Sequence, residues 1–186
     1  MINNLVLDNL LNAYLFECAT MRKYQKYASV AKDEKLFVVA NLFEEIAKQE
    51  GEHAGVFFNF LPENVKANAN VEFTRQIGNT VANLRECIES EKEEADDKYQ
   101  KFAVNAAVAG EELISTTFKN IAVAENHHRQ RFEDALKGIL TTSAWRSIGT
   151  NKWECTNCGY VLSAKEAPRV CPACFHTRGY YKKDLD

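Results

Sequence analysis

The chain has 186 residues, enough to bury one sizeable core and to carry a small appendage. Its 23 basic and 26 acidic side chains are well mixed and sum to −3, which argues against a general nucleic-acid binder, since that would carry a basic face. No stretch is long and apolar enough to suggest a membrane span, and the opening "MINNLVLDNLLNAYLFE" sets Asp8 and Glu17 inside its apolar region, so it reads as a helix rather than an export signal.

The first helix-period segment runs from about Asn4 to Ala31. Its stripe is Leu10, Tyr14, Met21, Tyr24 and Ala28, with Glu17 midway. The second runs from about Glu34 to Phe60 and stops before Pro62. Next comes a long connection, "LPENVKANANVEFTRQIGN" (61–79), with room for a helical turn. The third segment opens at an N-cap, Asn79 or Thr80, and reaches about Ala109, where Gly110 breaks it. The fourth continues to about Lys137, with Gly138 as its stop. Two antiparallel pairs joined by one long crossover is the connectivity of an all-α, ferritin-like four-helix bundle. This domain is expected over residues 1–140, followed by a small, polar linker over 141–152. Composition then changes: residues 153–186 hold four of the six cysteines and two of the three prolines, and form a second domain.

The apolar stripe of the second segment contains a fault. It runs Val39, Phe43, Ile46 and resumes at Phe57 and Phe60, but between them passes through Glu50 and His53. The fourth segment repeats this: Ile114, Phe118 and Ile121 are followed by Glu125 and His128, then Phe132. At an offset of 75 residues Phe43 falls on Phe118, Glu50 on Glu125, His53 on His128 and Phe57 on Phe132; Tyr24 and Tyr99 share that offset. A lone Glu-x-x-His is usually a surface pair. Two in register on apolar stripes point inward together, where an unpaired carboxylate is costly and something positive must sit.

Glu17 is a further inward acid. In "ECIESEKEEADDKYQKF", Glu86, Glu89, Glu91, Glu93 and Glu94 resemble a solvated face, but the stripe Val81, Leu84, Ile88 selects Glu91, with Glu94 one turn on. Five carboxylates and two imidazoles then converge from four helices, the ligand arrangement of a carboxylate-bridged pair of irons or manganese ions. Five negative charges against two divalent cations leave about −1, tolerable in a low-dielectric interior.

A chain without an export signal is expected in the reducing cytoplasm, where cysteines serve as metal ligands or free thiols. Cys155, Cys158, Cys171 and Cys174 form two C-x-x-C pairs, a strong signal for one tetrahedral metal. Gly159 permits the turn that wraps it, and a domain this small needs such a staple. Spacing alone leaves zinc and iron open. A one-electron iron centre gives an oxidant-handling bundle its electrons; a structural zinc explains nothing about the bundle. Cys18 and Cys87 read as small core residues, His127 as exposed and His176 as a loop residue.

Glu17 with Tyr24, "EGEH" (50–53), "ESEKEEADDKY" (89–99), "AENHHRQRF" (124–132), "CTNCGY" and "CPAC" together make the chain similar to the rubrerythrins over essentially its whole length. The resemblance implies a ferritin-like di-iron bundle followed by a small β-rich rubredoxin-like domain. It implies a non-haem peroxidase that reduces hydrogen peroxide to water in oxidative-stress defence. It also implies that Glu17, Glu50, His53, Glu91, Glu94, Glu125 and His128 hold two irons, and that the four cysteines hold a third, with zinc as a substitute. Glu50 and Glu125 would bridge, His53 and Glu94 would exchange on one iron, and Tyr24 and Tyr99 would hydrogen-bond to ligand carboxylates, core packing being their alternative role. The implied electron source is an NAD(P)H-dependent flavoprotein or a rubredoxin, because the chain has no dinucleotide fingerprint, and the implied assembly is a homodimer or larger. Two other readings stand beside this one: a ferroxidase handling iron, and a zinc-ribbon adaptor whose bundle is a scaffold.

Overall fold

The structure, a computed structural model, describes residues 2–183; the outermost residues of the two predicted domains, 1 and 184–186, lie outside it. Asn3 caps the first helix, α1 (Asn4–Asp33), by accepting the Leu5 N–H. The helix ends in a turn where Lys35 has a φ of 61° and the Leu36 N–H reaches back to the Ala31 carbonyl at 2.8 Å. This left-handed turn delays α2, which spans Phe37–Phe60 rather than starting at Glu34. Seventy-five residues later the same turn recurs: Gly110 has a φ of 79° and the Glu111 N–H reaches the Ala106 carbonyl at 2.9 Å. The internal repeat therefore includes the joints, with lysine standing where its counterpart is glycine.

Residues 61–79 form no helical turn, contrary to the room allowed for one. The segment runs along α1 instead, where Asp8 and Asn12 accept the backbone N–H groups of Asn68 and Asn70 at 2.7 and 2.6 Å. These polar side chains satisfy backbone groups that a helix would otherwise have paired internally. Of the two predicted caps, Asn79 is the one used, accepting the Ala82 N–H at 2.9 Å.

The third rod is one continuous run with an inserted residue: α3 (Thr80–Glu93), a single π-helical turn (Glu94–Lys98), then α4 (Tyr99–Val108). The Tyr99 N–H bonds to the Glu94 carbonyl, five residues back. Leu84, Cys87, Glu91 and Glu94 face inward before the bulge, and Tyr99, Ala103 and Ala106 after it. A plain α-register would have carried Lys98 inward; the extra residue carries Tyr99.

α5 (Glu112–Leu140) runs past Gly138, which therefore does not stop it. That glycine instead admits the returning chain, since a Cβ there would sit 3.3 Å from the Ala144 methyl. The stop comes at Thr142, with a φ of 59°.

The four rods bury two apolar clusters. One holds Tyr24, Tyr27, Phe43, Ile46, Leu84 and Phe132, the other Leu10, Phe57, Tyr99, Phe118 and Ile121. The faulted turns of all four rods lie between them. Beyond the bundle, a three-stranded antiparallel sheet in the order β2–β1–β3 is built from β1 (Arg146–Cys155), β2 (Val161–Glu166) and β3 (Tyr181–Lys183). Strand thus begins at Arg146, within the segment expected as linker. Arg146 pairs with Glu166 in the ladder and by a 3.3 Å ion contact, which a composition-based reading of polar residues misses. Trp153, fully buried, anchors this small core through its indole N–H on the Ala164 carbonyl at 3.0 Å.

A 3₁₀ turn (Arg178–Tyr180) seats the sheet unit on the α1–α2 joint. The Tyr180 and Phe37 rings stack with centroids 3.8 Å apart, and a Cβ at Gly179 would lie 1.7 Å from the Lys35 carbonyl oxygen. Among the described residues no helix is long and apolar enough to cross a membrane.

The paired joints make a direct test of left-handed strain. Gly110→Ala is expected to destabilise by about 1 kcal/mol, whereas Lys35→Gly is expected to stabilise by about 0.5–1 kcal/mol. For a chain of this size each shifts Tm by about 2–4 °C per kcal/mol, in opposite directions, in thermal unfolding followed by circular dichroism.

Candidate metal centres

The i, i+3 spacing on α2 and α5 aims Glu50 with His53, and Glu125 with His128, into the gap between the apolar clusters. Glu17, Glu50, Glu91, Glu94, Glu125 and His128 are all at least 97% buried, which decides that these are interior charges. Their atoms converge in two overlapping groups. Glu17, Glu50, His53 and Glu125 make one; Glu50, Glu91, Glu125 and His128 make the other; within each, the ligating atoms lie within 4.8 Å of one another. Glu50 and Glu125 belong to both. Glu94 is buried beside these groups but joins neither; its Oε1 accepts from the Ser90 hydroxyl at 3.3 Å. Glu89 and Glu93 face solvent, and Glu86 pairs with Lys23 at 2.7 Å.

The donor atoms converge on a point rather than on one another. His128 Nδ1 lies 3.1, 3.7 and 2.8 Å from oxygens of Glu50, Glu91 and Glu125, yet it has no aligned hydrogen-bond partner in the protein. Glu17 Oε2, Glu50 Oε1 and both Glu125 oxygens are likewise buried without an aligned hydrogen bond, the imidazoles being the only cations beside Glu50 and Glu125 among the described residues. So many orphaned acceptors at one place fit bound cations and little else. Carboxylates with two imidazoles suit iron or manganese.

Two tyrosines brace the cluster crosswise. Tyr24 on α1 donates its hydroxyl to Glu91 Oε1 on α3 at 2.5 Å, and Tyr99 on α4 donates to Glu17 on α1. From Glu17 to Tyr24 is seven residues; from Glu91 to Tyr99 is eight. The extra residue is the one the π-turn inserts, and that mismatch was the sequence signal for the bulge. Sequence reasoning also missed Gln49, whose Oε1 accepts from His128 Nε2 at 3.1 Å and leaves Nδ1 free to face the site. No spacing signalled it, because the equivalent position on α5 is Ala124. His53 therefore lacks such a brace and is the more exposed imidazole, at 15% against 4%.

Electrostatics without metal follow from the crowding. Burial, then repulsion from Glu50 and Glu125, holds the Glu17 proton on well above the usual carboxylate range. Burial, Glu91 and Glu125 do the same to Glu94. Burial and the Glu50 charge push Glu91 up to about 8. Burial works to lower His53, but its close contacts with the Glu125 and Glu50 carboxylates outweigh that and raise it to about 9. Glu50 is the exception: burial opposes its ionisation, yet His128 and His53 bring it down to about 2.

At the second centre the four Sγ atoms lie within 4.8 Å of one another, with Cys155–Cys174 and Cys158–Cys171 at 3.8 Å. Each C-x-x-C closes a matching knuckle: Gly159 (φ 75°) bonds back to the Cys155 carbonyl, and Phe175 (φ 61°) to that of Cys171. The His176 backbone N–H draws the Cys174 thiol down to about 6, so a thiolate is ready near neutral pH. His176 is an exposed loop residue, Cys87 is buried among apolar residues and His127 faces solvent.

Comparison with known proteins bears on both centres. The family model described as rubrerythrin matches residues 8–136, and that described as the rubrerythrin rubredoxin-like domain matches residues 153–182. Rubrerythrin-1 of Clostridium acetobutylicum is 33% identical over 179 residues, covering 94% of this chain and 92% of its own. The rubrerythrin of Porphyromonas gingivalis is 38% identical over 175 residues, covering 94% and 87%. Among solved structures, nigerythrin in a mixed-valence state superposes with a TM-score of 0.66 at 23% identity, covering 96% of this chain and 86% of that one, a likeness of fold.

The metal-free chain yields a pH test. Glu91 and His53 bind protons more tightly folded than unfolded, so their contribution to stability is full below about 4.5 and 6.5 and is lost as pH rises through about 8 and 9. The Glu50 contribution has the opposite sign and is complete above about pH 4.5. The urea midpoint of the metal-free chain is therefore expected to fall from about pH 6 to pH 9, and to flatten once two ferrous ions per chain are added anaerobically.

Proposed function

This chain belongs to the rubrerythrin family, and we propose that it is a non-haem di-iron peroxidase reducing hydrogen peroxide to water. The family joins a carboxylate-rich bundle to a rubredoxin-like electron-transfer region. What carries the finer reading is the coexistence, on one chain, of a buried two-lobed carboxylate–imidazole cluster and a four-thiol cluster. Storing iron needs no electron inlet, so the ferroxidase reading leaves the second cluster unused; a zinc-ribbon adaptor leaves the orphaned acceptors of the first unexplained.

We assign the work to residues 1–140 and the electron supply to residues 153–186. Glu17 and His53 would hold one iron, Glu91 and His128 the other, with Glu50 and Glu125 reaching both. When bound, two ferrous ions would supply the two electrons that, with two protons, one of them from solvent, turn hydrogen peroxide into two waters. Tyr24 and Tyr99 fix the carboxylates of Glu91 and Glu17 through their hydroxyls. In the metal-free chain burial, Glu91 and Glu125 hold the proton on Glu94, and we assign its carboxyl as a proton source for the departing water. Having lost that proton, Glu94 is the natural replacement for His53, the imidazole without a brace. Cys155, Cys158, Cys171 and Cys174 would hold the third iron and return electrons singly, drawing on a separate NAD(P)H-dependent flavoprotein or a rubredoxin. We place this oxidative-stress chemistry in the cytoplasm, on the thiols' need for a reducing compartment.

Geometry supports an assembly of at least two chains. The four-cysteine unit rests on Phe37, and thirteen helical residues from there to Glu50 span about 20 Å. Electron tunnelling falls off steeply with distance, so a partner's four-cysteine unit approaching the bundle from the side is the faster donor.

Stopped-flow mixing of the diferrous chain is expected to show faster oxidation by peroxide than by air-saturated buffer; equal rates, or faster oxidation by air, would overturn the peroxidase reading in favour of the ferroxidase. Metal analysis of anaerobically purified chain should find three irons, and Cys158→Ser should lose the red colour and reductase-driven turnover while keeping a single turnover with peroxide. Sedimentation velocity is expected to give a dimer or larger; a monomer turning over at full rate would refute the assembly.

A further inference from the structure

One cleft takes no part in the metal chemistry. It measures about 600 Å³, lies between α1 and the crossover, and falls within the size range of small-molecule sites. Two periodicities build it. On α1, residues Arg22, Lys23 and Lys26 share one face at helical spacing, while in the extended crossover Phe73, Arg75 and Ile77 alternate toward that same face. Four cations thus line one cleft on a chain whose net charge is −3.

Only one of the four is neutralised. Lys23 is buried and pairs with Glu86 at 2.7 Å. The Arg22 guanidinium donates to Gln25, an uncharged partner, at 2.8 Å. Lys26 and Arg75 have no carboxylate partner among the described residues. The acids Glu72, Glu86, Glu89 and Glu93 line a neighbouring groove that shares Lys23, Phe73 and Arg75 with the cleft, and the cleft itself is lined by no carboxylate. Its remaining walls are apolar yet open to solvent: Phe73 is 43% exposed and Ile77 49%. An aromatic face beside a cluster of uncompensated cations, two of them arginines able to take two oxygens at once, matches a ligand with a flat ring at one end and phosphates at the other.

We propose that this cleft binds a nucleoside phosphate, with Phe73 and Ile77 against the base and Arg22, Lys26 and Arg75 around the phosphates. The site is separate from both metal centres and does not depend on the peroxidase reading.

The test is isothermal titration of the iron-loaded, full-length chain at low salt with ATP, adenosine and inorganic pyrophosphate as separate probes. ATP is expected to bind saturably at one site per chain, and more tightly than either adenosine or pyrophosphate. Charge reversal at two of the three exposed cations, K26E with R75E, is expected to weaken ATP by at least about tenfold, while Phe73→Ala weakens ATP and leaves pyrophosphate unchanged. The visible spectrum of the four-cysteine iron and the helical circular dichroism report that each variant is folded. No saturable ATP binding, or binding unaltered in the double variant, would overturn the site. Pyrophosphate binding as tightly as ATP would overturn its nucleoside specificity.

Discussion

Mutual repulsion among buried carboxylates is the constraint around which the bundle is arranged. Six groups, Glu17, Glu50, Glu91, Glu94, Glu125 and His128, are withdrawn from water at the same level of four rods, between two apolar clusters. Those clusters provide the hydrophobic stabilisation that lets the middle be polar. Without a counter-charge the middle relieves itself by keeping protons, as the raised positions of Glu17, Glu94 and Glu91 indicate. A scaffold that stores this much repulsion is one in which cations and protons substitute for each other.

Near-symmetry in the bundle makes its departures from symmetry informative. The repeat gives each lobe a glutamate, a histidine, a shared carboxylate pair and a tyrosine brace from across the bundle. Three differences break the match. The π-turn adds a residue to one rod only, Glu94 stands where Thr20 is its counterpart three residues after Glu17, and Gln49 steadies His128 where Ala124 leaves His53 without support. The last of these distinguishes the lobes directly, so the two imidazoles are unequally held although the ligand lists look alike.

How far the sequence could be read follows from which forces are local. Helix periodicity carries its own phase, so the four rods, the inward acids and the paired imidazoles were legible, as was the choice of Glu94 over the exposed Glu93. The two C-x-x-C knuckles were legible for the same reason, their spacing being set by one turn of backbone. What escaped depended on distant partners. Gly138 looks like a stop until Ala144 is seen packing against it, and the polar run from Arg146 looks like linker until Glu166 pairs with it. The crossover stays extended because Asp8 and Asn12 capture its backbone, a contact sixty residues away in sequence.

The seat of the four-cysteine unit has a consequence for how the molecule can move. At position 179 the unit is held by the lack of a side chain, with backbone against backbone at Lys35 and ring on ring at Phe37. Such a joint offers no flexible side chain as a lever arm at this point of contact. On the proposed relay, the distance an electron covers would then be set by where subunits and reductants come to rest rather than by motion of this unit.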